Sequence, residues 1–143
     1  MIRVKKLSPE VFPPEKKHWS DAGYDLVSLK DYDLYPGERV LIPTGLSWSV
    51  PENYVGFVCP RSGMAIKHGI TVLNAPGVID SGFLGDVGVI LYNTNREGPP
   101  YHIHKGDKIA QMVVVPLSRD SLVLVDNLGD SERGSKGFGS SGR

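Results

Sequence analysis

Gly77-Val-Ile-Asp-Ser-Gly-Phe-Leu-Gly85 places one carboxylate, Asp80, between apolar residues and glycines. Such glycines permit a positive φ or a close approach of a ligand to the backbone, and residues 87–93 follow as an apolar strand. The pattern predicts a tight β-hairpin that carries an acidic group facing a pocket. An Asp beside glycines can also serve only to shape the turn by bonding its own backbone. The rest of the chain decides between the two roles.

The chain on both sides of this stretch is a series of short apolar segments separated by turn residues. Pro36-Gly37 lies between two of these segments and predicts a second hairpin. Residues 62–67 can form one or two helical turns, with Ser62 as a possible N-cap. Trp19 is expected in a loop, packed against the body. The predicted class is all-β, a sandwich, barrel or jelly roll, with strands at residues 2–6, 31–35, 38–42, 46–50, 54–59, 70–73, 87–93, 108–115 and 121–126.

Composition restricts the possible partners and compartments. The chain has 143 residues, enough for one core, with 16 basic and 16 acidic residues. This balance gives no bulk field for direct nucleic-acid or membrane binding, so any polyanion site must be local. Cys59 is the only cysteine, which excludes an intramolecular disulfide, and its apolar neighbours favour a buried thiol. We find no signal peptide or membrane span and expect a soluble intracellular protein, cytoplasmic or, in a eukaryote, also nuclear.

The C-terminal residues 128–143 are rich in glycine and serine and differ from the preceding chain. Gly137-Phe-Gly-Ser-Ser-Gly142 satisfies a dinucleotide-binding pattern, but only Arg143 follows, so the helix that this pattern requires has no room. Arg133 and Lys136 provide cations and Phe138 provides a flat apolar face. The segment is therefore either a clamp for a phosphate and a base or a flexible linker.

Three other groups of polar residues have both functional and structural interpretations. Pro60-Arg-Ser-Gly63 suits phosphate oxygens, although Arg61 can equally pair with a carboxylate. Gln111 is polar within an apolar run, which indicates either a ligand contact or a structural hydrogen bond. His102 and His104 share one strand face, but a metal site there lacks a third ligand with suitable spacing.

Five separated stretches resemble the five motifs of the trimeric dUTPases, which hydrolyse dUTP to dUMP and pyrophosphate, and they occur in the same order and spacing. The stretches are Ala22-Gly-Tyr-Asp-Leu-Val-Ser28, Pro60-Arg-Ser-Gly63, Gly77–Gly85, Gly106-Asp-Lys-Ile-Ala-Gln111 and Arg133-Gly-Ser-Lys-Gly-Phe-Gly-Ser-Ser-Gly142. The resemblance implies a jelly-roll-like core over residues 1–127 in a homotrimer with shared active sites. It also implies that residues 128–143 form an arm that closes over a neighbouring subunit's site. The reaction would supply the precursor of dTTP and keep uracil out of DNA.

The resemblance assigns roles to individual residues. Asp80 would be the general base for a water that attacks the α-phosphorus in line, and Asn74 would help to hold that water and the uracil. Asp25 would reach Mg²⁺ through bound waters. The uracil would be read by the backbone at Gly77, Val78, Ile79 and Gly88, with Phe83 on the deoxyribose and Phe138 over the base. The phosphates would be held by Arg61, Ser62, Gly63, Gln111, Arg133, Gly139 and Ser140.

Two residues depart from the family pattern, and three other interpretations compete. Phe83 replaces the usual Tyr, which puts discrimination against UTP in question, and Leu84 replaces a polar or basic residue. A dCTP deaminase, or a bifunctional deaminase–dUTPase, would need a catalytic Glu, and residues 74–91 contain none. A regulatory binding role would add to catalysis because all five motifs are present. A purely structural jelly roll would not need Arg133 and Phe138 in a terminal glycine arm.

Overall fold

The computed structural model of the chain describes residues 1–137. In this part the chain forms short strands and a single helix, so the predicted all-β class is confirmed. Every predicted strand before residue 117 is present to within a few residues. The elements are β1 Arg3–Lys6, β2 Gly23–Val27, β3 Tyr32–Leu34, β4 Arg39–Ile42, β5 Leu46–Ser49, β6 Tyr54–Cys59, α1 Ser62–His68, β7 Ile70–Val72, β8 Gly77–Ile79, β9 Val89–Asn93, β10 Tyr101–Ile103 and β11 Lys108–Pro116.

The strands pair in four antiparallel groups, consistent with a jelly roll. The largest sheet has the order β2-β11-β6-β8, and a second has the order β4-β9-β7. Two further pairs are β1 with β5 and β3 with β10. Most neighbours in these sheets are distant in sequence, as expected when strands cross between layers. β8 is an edge strand of the largest sheet, which matters for the candidate site.

The core lies between the sheets and contains apolar residues from nearly every strand. Leu26, Ile42, Leu91 and Met112 are fully buried, each contributing about 1.5–3 kcal/mol by removal from water. Trp48 is 1% exposed, and its ring contacts Tyr24 edge to face at 5.8 Å between centroids. The other buried core residues are Val11, Leu34, Leu46, Val50, Val58, Met64, Ile70, Val72, Val87, Val89, Ile103, Ile109 and Ala110.

Both predicted hairpins are wrong, because the strands on the two sides of each turn belong to different sheets. At the first turn, β3 pairs with β10 and β4 pairs with β9. The Gly37 backbone N–H donates to the Asn93 carbonyl oxygen at 2.9 Å, and the Asn93 amide donates to the Leu34 carbonyl oxygen at 3.0 Å. These bonds tie the turn to β9, so it is a corner between two sheets.

The second predicted hairpin, at residues 77–85, is also a crossing between sheets. β8 pairs with β6, whereas β9 pairs with β4 and β7. After the turn, the Asp86 carboxylate accepts a 2.9 Å hydrogen bond from the Gly45 backbone N–H, which draws the chain towards β5. Gly77 is not in the left-handed region; its role is the close approach of β8 to Val58, whose Cβ would lie 3.3 Å from a Cβ at position 77.

Three further expectations are wrong. Residues 121–126 do not form a strand, since Leu122 and Leu124 are each 102% exposed and no neighbouring strand pairs with them in the described chain. Trp19 is 98% exposed and does not pack against the body. The helix is present, but its N-cap is Arg61 without a side-chain hydrogen bond, so Ser62 is the first helical residue and not the cap. Within residues 1–137 we find no helix with the length and apolar character needed to span a membrane.

Glu38→Gln is expected to remove a pH-dependent part of the stability of the corner between β3 and β4. Tyr32 donates a 2.5 Å hydrogen bond to Glu38 Oε1, and the Tyr35 backbone N–H donates a 2.9 Å bond to Oε2. These donors hold the pKa of the Glu38 carboxyl below its usual range. A pKa lowered by folding stabilises the protein above the unfolded pKa of about 4.3, and the contribution is lost as pH falls through the folded pKa.

Thermal melts of both proteins between pH 7 and pH 3 check this expectation. The Tm of the parent should exceed that of Glu38→Gln at pH 7, and the difference should shrink below about pH 4. Glu52→Gln is a matched control, because Glu52 is an exposed residue in the turn after β5. A difference in Tm that stays constant over the whole pH range would contradict the assignment to Glu38.

Candidate active site

A cavity of about 530 Å³ opens at one end of the largest sheet, where β2, β11 and the residues after β6 meet. We call it the cationic pocket, because four Lys and Arg side chains and two histidines face two carboxylates there. This excess of positive charge suits an anionic ligand. The lining residues are Lys17, His18, Asp21, Asp25, Arg61, Ser62, Gly63, Met64, Lys67, His68, Tyr101, Lys108 and Gln111.

Strand register brings the polar residues of this pocket together. Gln111 on β11 lies opposite Asp25 on β2 and opposite Cys59 at the end of β6. The Gln111 amide donates a 3.0 Å hydrogen bond to the Pro60 carbonyl oxygen, so its structural interpretation is correct for that group. Gly23 provides the space, since a Cβ at this position would lie 2.5 Å from Gln111 Oε1.

Arg61 and Lys108 are held by Asp25 at the floor of the pocket. Lys108 Nζ lies 2.7 Å from Asp25 Oδ2, and Arg61 Nε lies 3.6 Å from Asp25 Oδ1. Arg61 Nη1 also donates a 2.9 Å hydrogen bond to the Lys108 carbonyl oxygen. The guanidinium is therefore fixed on one side, and Nη2 has no hydrogen-bond partner within residues 1–137. Arg61 thus pairs with a carboxylate and still has a donor for a ligand.

Ser62 and Gly63 begin helix α1 at the rim of the pocket. Both are exposed, and a Cβ at Gly63 would meet no atom within 4 Å. The first backbone N–H groups of the helix have no side-chain cap and remain available to an anion. Met64 is buried and anchors the helix, which ends at Gly69 in the left-handed region with φ 66°.

Several lining residues were not among the sequence-based candidates. Lys108 lies within the fourth motif, three residues before Gln111, and its place in that motif could have identified it as a site residue. Lys67 and His68 come from the last turn of α1, and Tyr101 from β10. The Tyr101 and His68 rings are 5.0 Å apart, and burial, with Asp107 nearby, raises the pKa of Tyr101. Only the folded chain brings these separate elements together.

The residues around Asp80 form a second group, outside the cationic pocket. Asp80 is exposed, and its carboxylate makes no hydrogen bond to the turn in the described residues, so the purely turn-shaping role has no support. The Phe83 backbone N–H donates to the Asp80 carbonyl oxygen at 3.1 Å. Phe83 is 43% exposed, and its ring lies over Gly85. The Asn74 amide packs on Gly77, at 3.2 Å from the position of a Cβ there.

The two groups lie far apart along β6. Gly77 is opposite Val58 and Ile79 is opposite Gly56, so Asp80 is level with Val55. Arg61 is six residues further along the chain, about 20 Å away at the rise of a β-strand. The pocket thus brings together Asp25, Arg61, Ser62, Gly63 and Gln111 and does not include Asn74, Gly77, Val78, Ile79, Asp80, Phe83 or Gly88.

The remaining sequence-based candidates lie elsewhere. Arg133 is exposed, and its Nε donates a 2.9 Å hydrogen bond to the Lys136 carbonyl oxygen. Phe138, Gly139 and Ser140 lie outside the described residues. His102 Nδ1 lies 2.6 Å from Asp33 Oδ1, a two-residue pair across β10 and β3. Residues 1–137 contain no group of three side chains suited to holding a metal ion.

Sequence comparisons identify the relatives of this chain. The sequence profile of the dUTPase family matches residues 10–142. A deoxyuridine 5'-triphosphate nucleotidohydrolase of Leifsonia xyli subsp. xyli is 51% identical over 129 residues, which cover 90% of this chain and 84% of that protein. The protein of the same name in Thermobifida fusca is 44% identical over 141 residues, covering 99% of this chain and 78% of that protein.

Solved structures of dUTPases also resemble this chain. The dUTPase of Staphylococcus phage 80alpha with dUpNHpp has a TM-score of 0.90 and 34% identity, covering 100% of this chain and 99% of that chain. A mutant dUTPase of the S. aureus phage phi11, described with a structural Mg(II) ion, has a TM-score of 0.84 and 30% identity, covering 91% of this chain and 99% of that chain.

Proposed function

Since this chain belongs to the dUTPase family and hydrolyses dUTP, we propose that the cationic pocket binds the triphosphate and that Asp80 of a neighbouring chain activates the attacking water. The observation that carries this proposal is the pocket itself, in which the family's first, second and fourth motifs meet around Arg61. The deaminase alternative has no support from the comparisons.

The triphosphate is held by donors at the pocket rim. Arg61 Nη2, the Ser62 hydroxyl and the first N–H groups of α1 face the space that an anion would occupy. Asp25 keeps the Arg61 guanidinium oriented by its contact with Nε, so that less freedom is lost when a phosphate binds. Lys17 and Lys67 add positive charge around the same space. These contacts neutralise charge that spreads over the phosphate oxygens during the reaction.

The uracil is read by the free edge of β8. Its strand partner β6 occupies one side only, and the backbone groups on the other side are open, as in any edge strand. A flat base can form hydrogen bonds with these backbone N–H and C=O groups, as an added strand does. Gly77 and Ile79 are in this strand, Val78 is 60% exposed, and Asn74 lies beside Gly77. Gly88, the remaining backbone position of this prediction, lies against Leu41.

Asp80 acts as the general base in the chemical step. The carboxylate takes a proton from a water whose oxygen attacks the α-phosphorus in line. The bond from that phosphorus to the oxygen bridging to the β-phosphorus breaks, so dUMP and pyrophosphate leave. No covalent intermediate is needed, because charge neutralisation, alignment and an activated water are sufficient.

A homotrimer with shared sites can bring Asp80 of one chain next to the cationic pocket of another. Asp80 is about 20 Å along β6 from Arg61 in one chain, so a site that contains both needs a second chain. The exposed apolar residues Leu122, Val123, Leu124 and Val125 support assembly as well, since an unpaired apolar segment of this kind needs a cover. In this proposal residues 1–127 form the core of the subunit. Residues 117–137 are exposed in the single chain and would pack only in the trimer. Residues 128–143 close over a neighbour's pocket.

Mg²⁺ fits this site only through water. Asp25 is a single carboxylate already paired with Lys108 and Arg61, which suits an ion that keeps several waters and binds chiefly to substrate phosphates. When bound, the ion would neutralise charge on the phosphate oxygens. Asp25 would hold one of its waters while it continues to orient Arg61.

Gly23→Ala is expected to raise the KM for dUTP about tenfold with a smaller change in kcat. The added Cβ would lie 2.5 Å from Gln111 Oε1 and 3.0 Å from Gln111 Cβ, so Gln111 must leave its place at the pocket floor. Overpacking of this kind also costs about 1–3 kcal/mol of stability. Gly82→Ala is the control, because a Cβ at Gly82 meets nothing within 4 Å. Unchanged KM in Gly23→Ala would contradict the role of Gln111.

The decisive experiment measures pyrophosphate release from dUTP, dCTP, dTTP and UTP, with Mg²⁺ and with EDTA. We expect release from dUTP that is much slower in EDTA. Absence of dUTP turnover, or conversion of dCTP to dUTP, would refute the function. The assay includes Phe83→Tyr, which should lower any UTP hydrolysis by the parent while dUTP hydrolysis stays similar.

A further inference from the structure

Trp19 is held in an exposed position by a fixed turn. The turn spans residues 18–21 and is called the Trp19 turn here. The Asp21 backbone N–H donates to the His18 carbonyl oxygen at 3.1 Å, and the His18 N–H donates to Asp21 Oδ2 at 2.9 Å. These bonds close the turn and leave the Trp19 side chain 98% exposed. An indole displayed on a closed turn is typical of a contact surface, where Trp is enriched.

The Trp19 turn lies at the rim of the cationic pocket. Lys17, His18 and Asp21 line that pocket, so the indole is next to the proposed triphosphate site. Lys16 precedes the turn, and its Nζ lies 4.5 Å from the centre of the Tyr24 ring. The surface around Trp19 is therefore apolar at its tip and cationic at its base. Its complement is an acidic segment with an exposed apolar side chain.

The chain itself contains such a segment. Residues 120–132 carry Asp120, Asp126, Asp130 and Glu132 and contain no Lys or Arg. Leu128 lies among these acids and is 95% exposed. We call residues 126–132 the acidic segment. It leads directly to Arg133, the first residue of the fifth motif.

The acidic segment follows the end of β11 that lies away from the cationic pocket of its own chain. β11 begins at the pocket with Lys108 and Gln111 and ends at Pro116, opposite Tyr54 at the far end of β6. Residues 116–137 are exposed throughout. A second copy of the chain is therefore the occupant that matches the Trp19 turn in charge and in apolar character.

We propose that the acidic segment of a neighbouring copy docks on the Trp19 turn, with Leu128 against the indole and its carboxylates beside Lys17 and His18. This inference rests on the proposed trimer. Docking fixes the start of the arm, so that Arg133 is delivered to the pocket rim at a lower entropic cost. Trp19 is thus a positioning residue for closure of the arm.

Disulfide trapping tests the contact directly. One chain carries Cys59→Ser and Trp19→Cys, and a second, larger tagged chain carries Cys59→Ser and Leu128→Cys. The two are refolded together and oxidised, and heterodimers are scored on a non-reducing gel. The matched control replaces Leu128→Cys by Ser118→Cys, an exposed residue outside the apolar segment 122–125 and ten residues away, up to about 35 Å in an extended chain.

We expect the Leu128 pair to trap at least about fivefold more heterodimer than the Ser118 pair, with the difference reduced in high salt. Equal yields, or no heterodimer, in a preparation that is trimeric and releases pyrophosphate from dUTP would overturn this inference alone. A preparation that is not trimeric or does not hydrolyse dUTP would refute the proposed function instead. A single chain with both cysteines that oxidises to a monomer-sized band would also overturn docking between copies.

A second measurement uses binding. Trp19→Ala should weaken binding of dUpNHpp about three- to tenfold in the full chain and have no effect in a chain truncated after residue 125. An equal loss of binding in both would overturn the inference and show that the indole contacts the nucleotide itself.

Discussion

Asp80→Asn is expected to lower the kcat for dUTP hydrolysis by about 10²- to 10⁴-fold, the usual contribution of a general base. Affinity for dUpNHpp should stay within a few-fold of the parent, because the amide retains the shape of the carboxylate and the substitution leaves the phosphate donors of the pocket intact. Pre-steady-state pyrophosphate release and calorimetric binding measure the two quantities separately. Asp33→Asn, an exposed aspartate on β3, is the control and should keep full activity.

Mixing experiments extend this test to the shared site. Arg61→Ala should also be inactive, since it removes the guanidinium that residues 1–137 contribute to the pocket lining. If each site takes Asp80 from one chain and Arg61 from another, co-refolding equal amounts of the two variants restores about one quarter of the sites. An active site needs its Asp80 from an Arg61→Ala chain and its Arg61 from an Asp80→Asn chain. Each of these has a chance of about one half in a random mixture. Activity that remains at the level of the separate variants would contradict a site shared between chains.

Deletion of residues 133–143 is expected to reduce turnover at least about 100-fold while the trimer persists. The segment contains Arg133 and Lys136, the cations of the fifth motif, and a lid of this kind excludes water and completes the site only around bound substrate. Light scattering after gel filtration reports assembly, and pyrophosphate release reports activity. The loss should appear in kcat, because positioning of the phosphates in the transition state is what the arm provides.

A longer deletion gives the contrast. Removal of residues 121–143 also takes away the apolar residues Leu122 and Leu124, so we expect the trimer to dissociate as well. If the shorter deletion already yields monomers, the arm is a structural element and its catalytic role is refuted. Full turnover by the shorter deletion would refute the lid.

The positions of the strands could be predicted from sequence, whereas their pairing could not. Alternation and turn residues located β5, β6 and β11 closely, because these signals depend on neighbouring residues. Pairing depends on distant ones: Asn93 anchors the corner after Leu34, and Asp86 draws the chain to Gly45. Both hairpin predictions failed for this reason. The strand predicted at residues 121–126 has the right pattern but no partner strand within residues 1–137.

The candidate site was predicted in part. Five residues that the motifs single out, Asp25, Arg61, Ser62, Gly63 and Gln111, line one pocket, and their roles there remain predictions. The motifs do not reveal that Lys108 and Arg61 share the Asp25 carboxylate, or that the absence of a side chain at Gly23 leaves space for Gln111. These contacts form between residues on separate strands. The residues assigned to uracil and catalysis remain predictions, which Asp80→Asn and the nucleotide panel test.

The distance between Asp80 and Arg61 along β6 has a consequence for how the activity responds to protein concentration. In the proposed shared site, an isolated chain would hold parts of two different sites and a complete copy of neither. Specific activity should then fall on dilution, whereas an enzyme with a complete site in each chain would keep it constant. An inactive chain would also disable the sites that it shares with active chains of the same trimer.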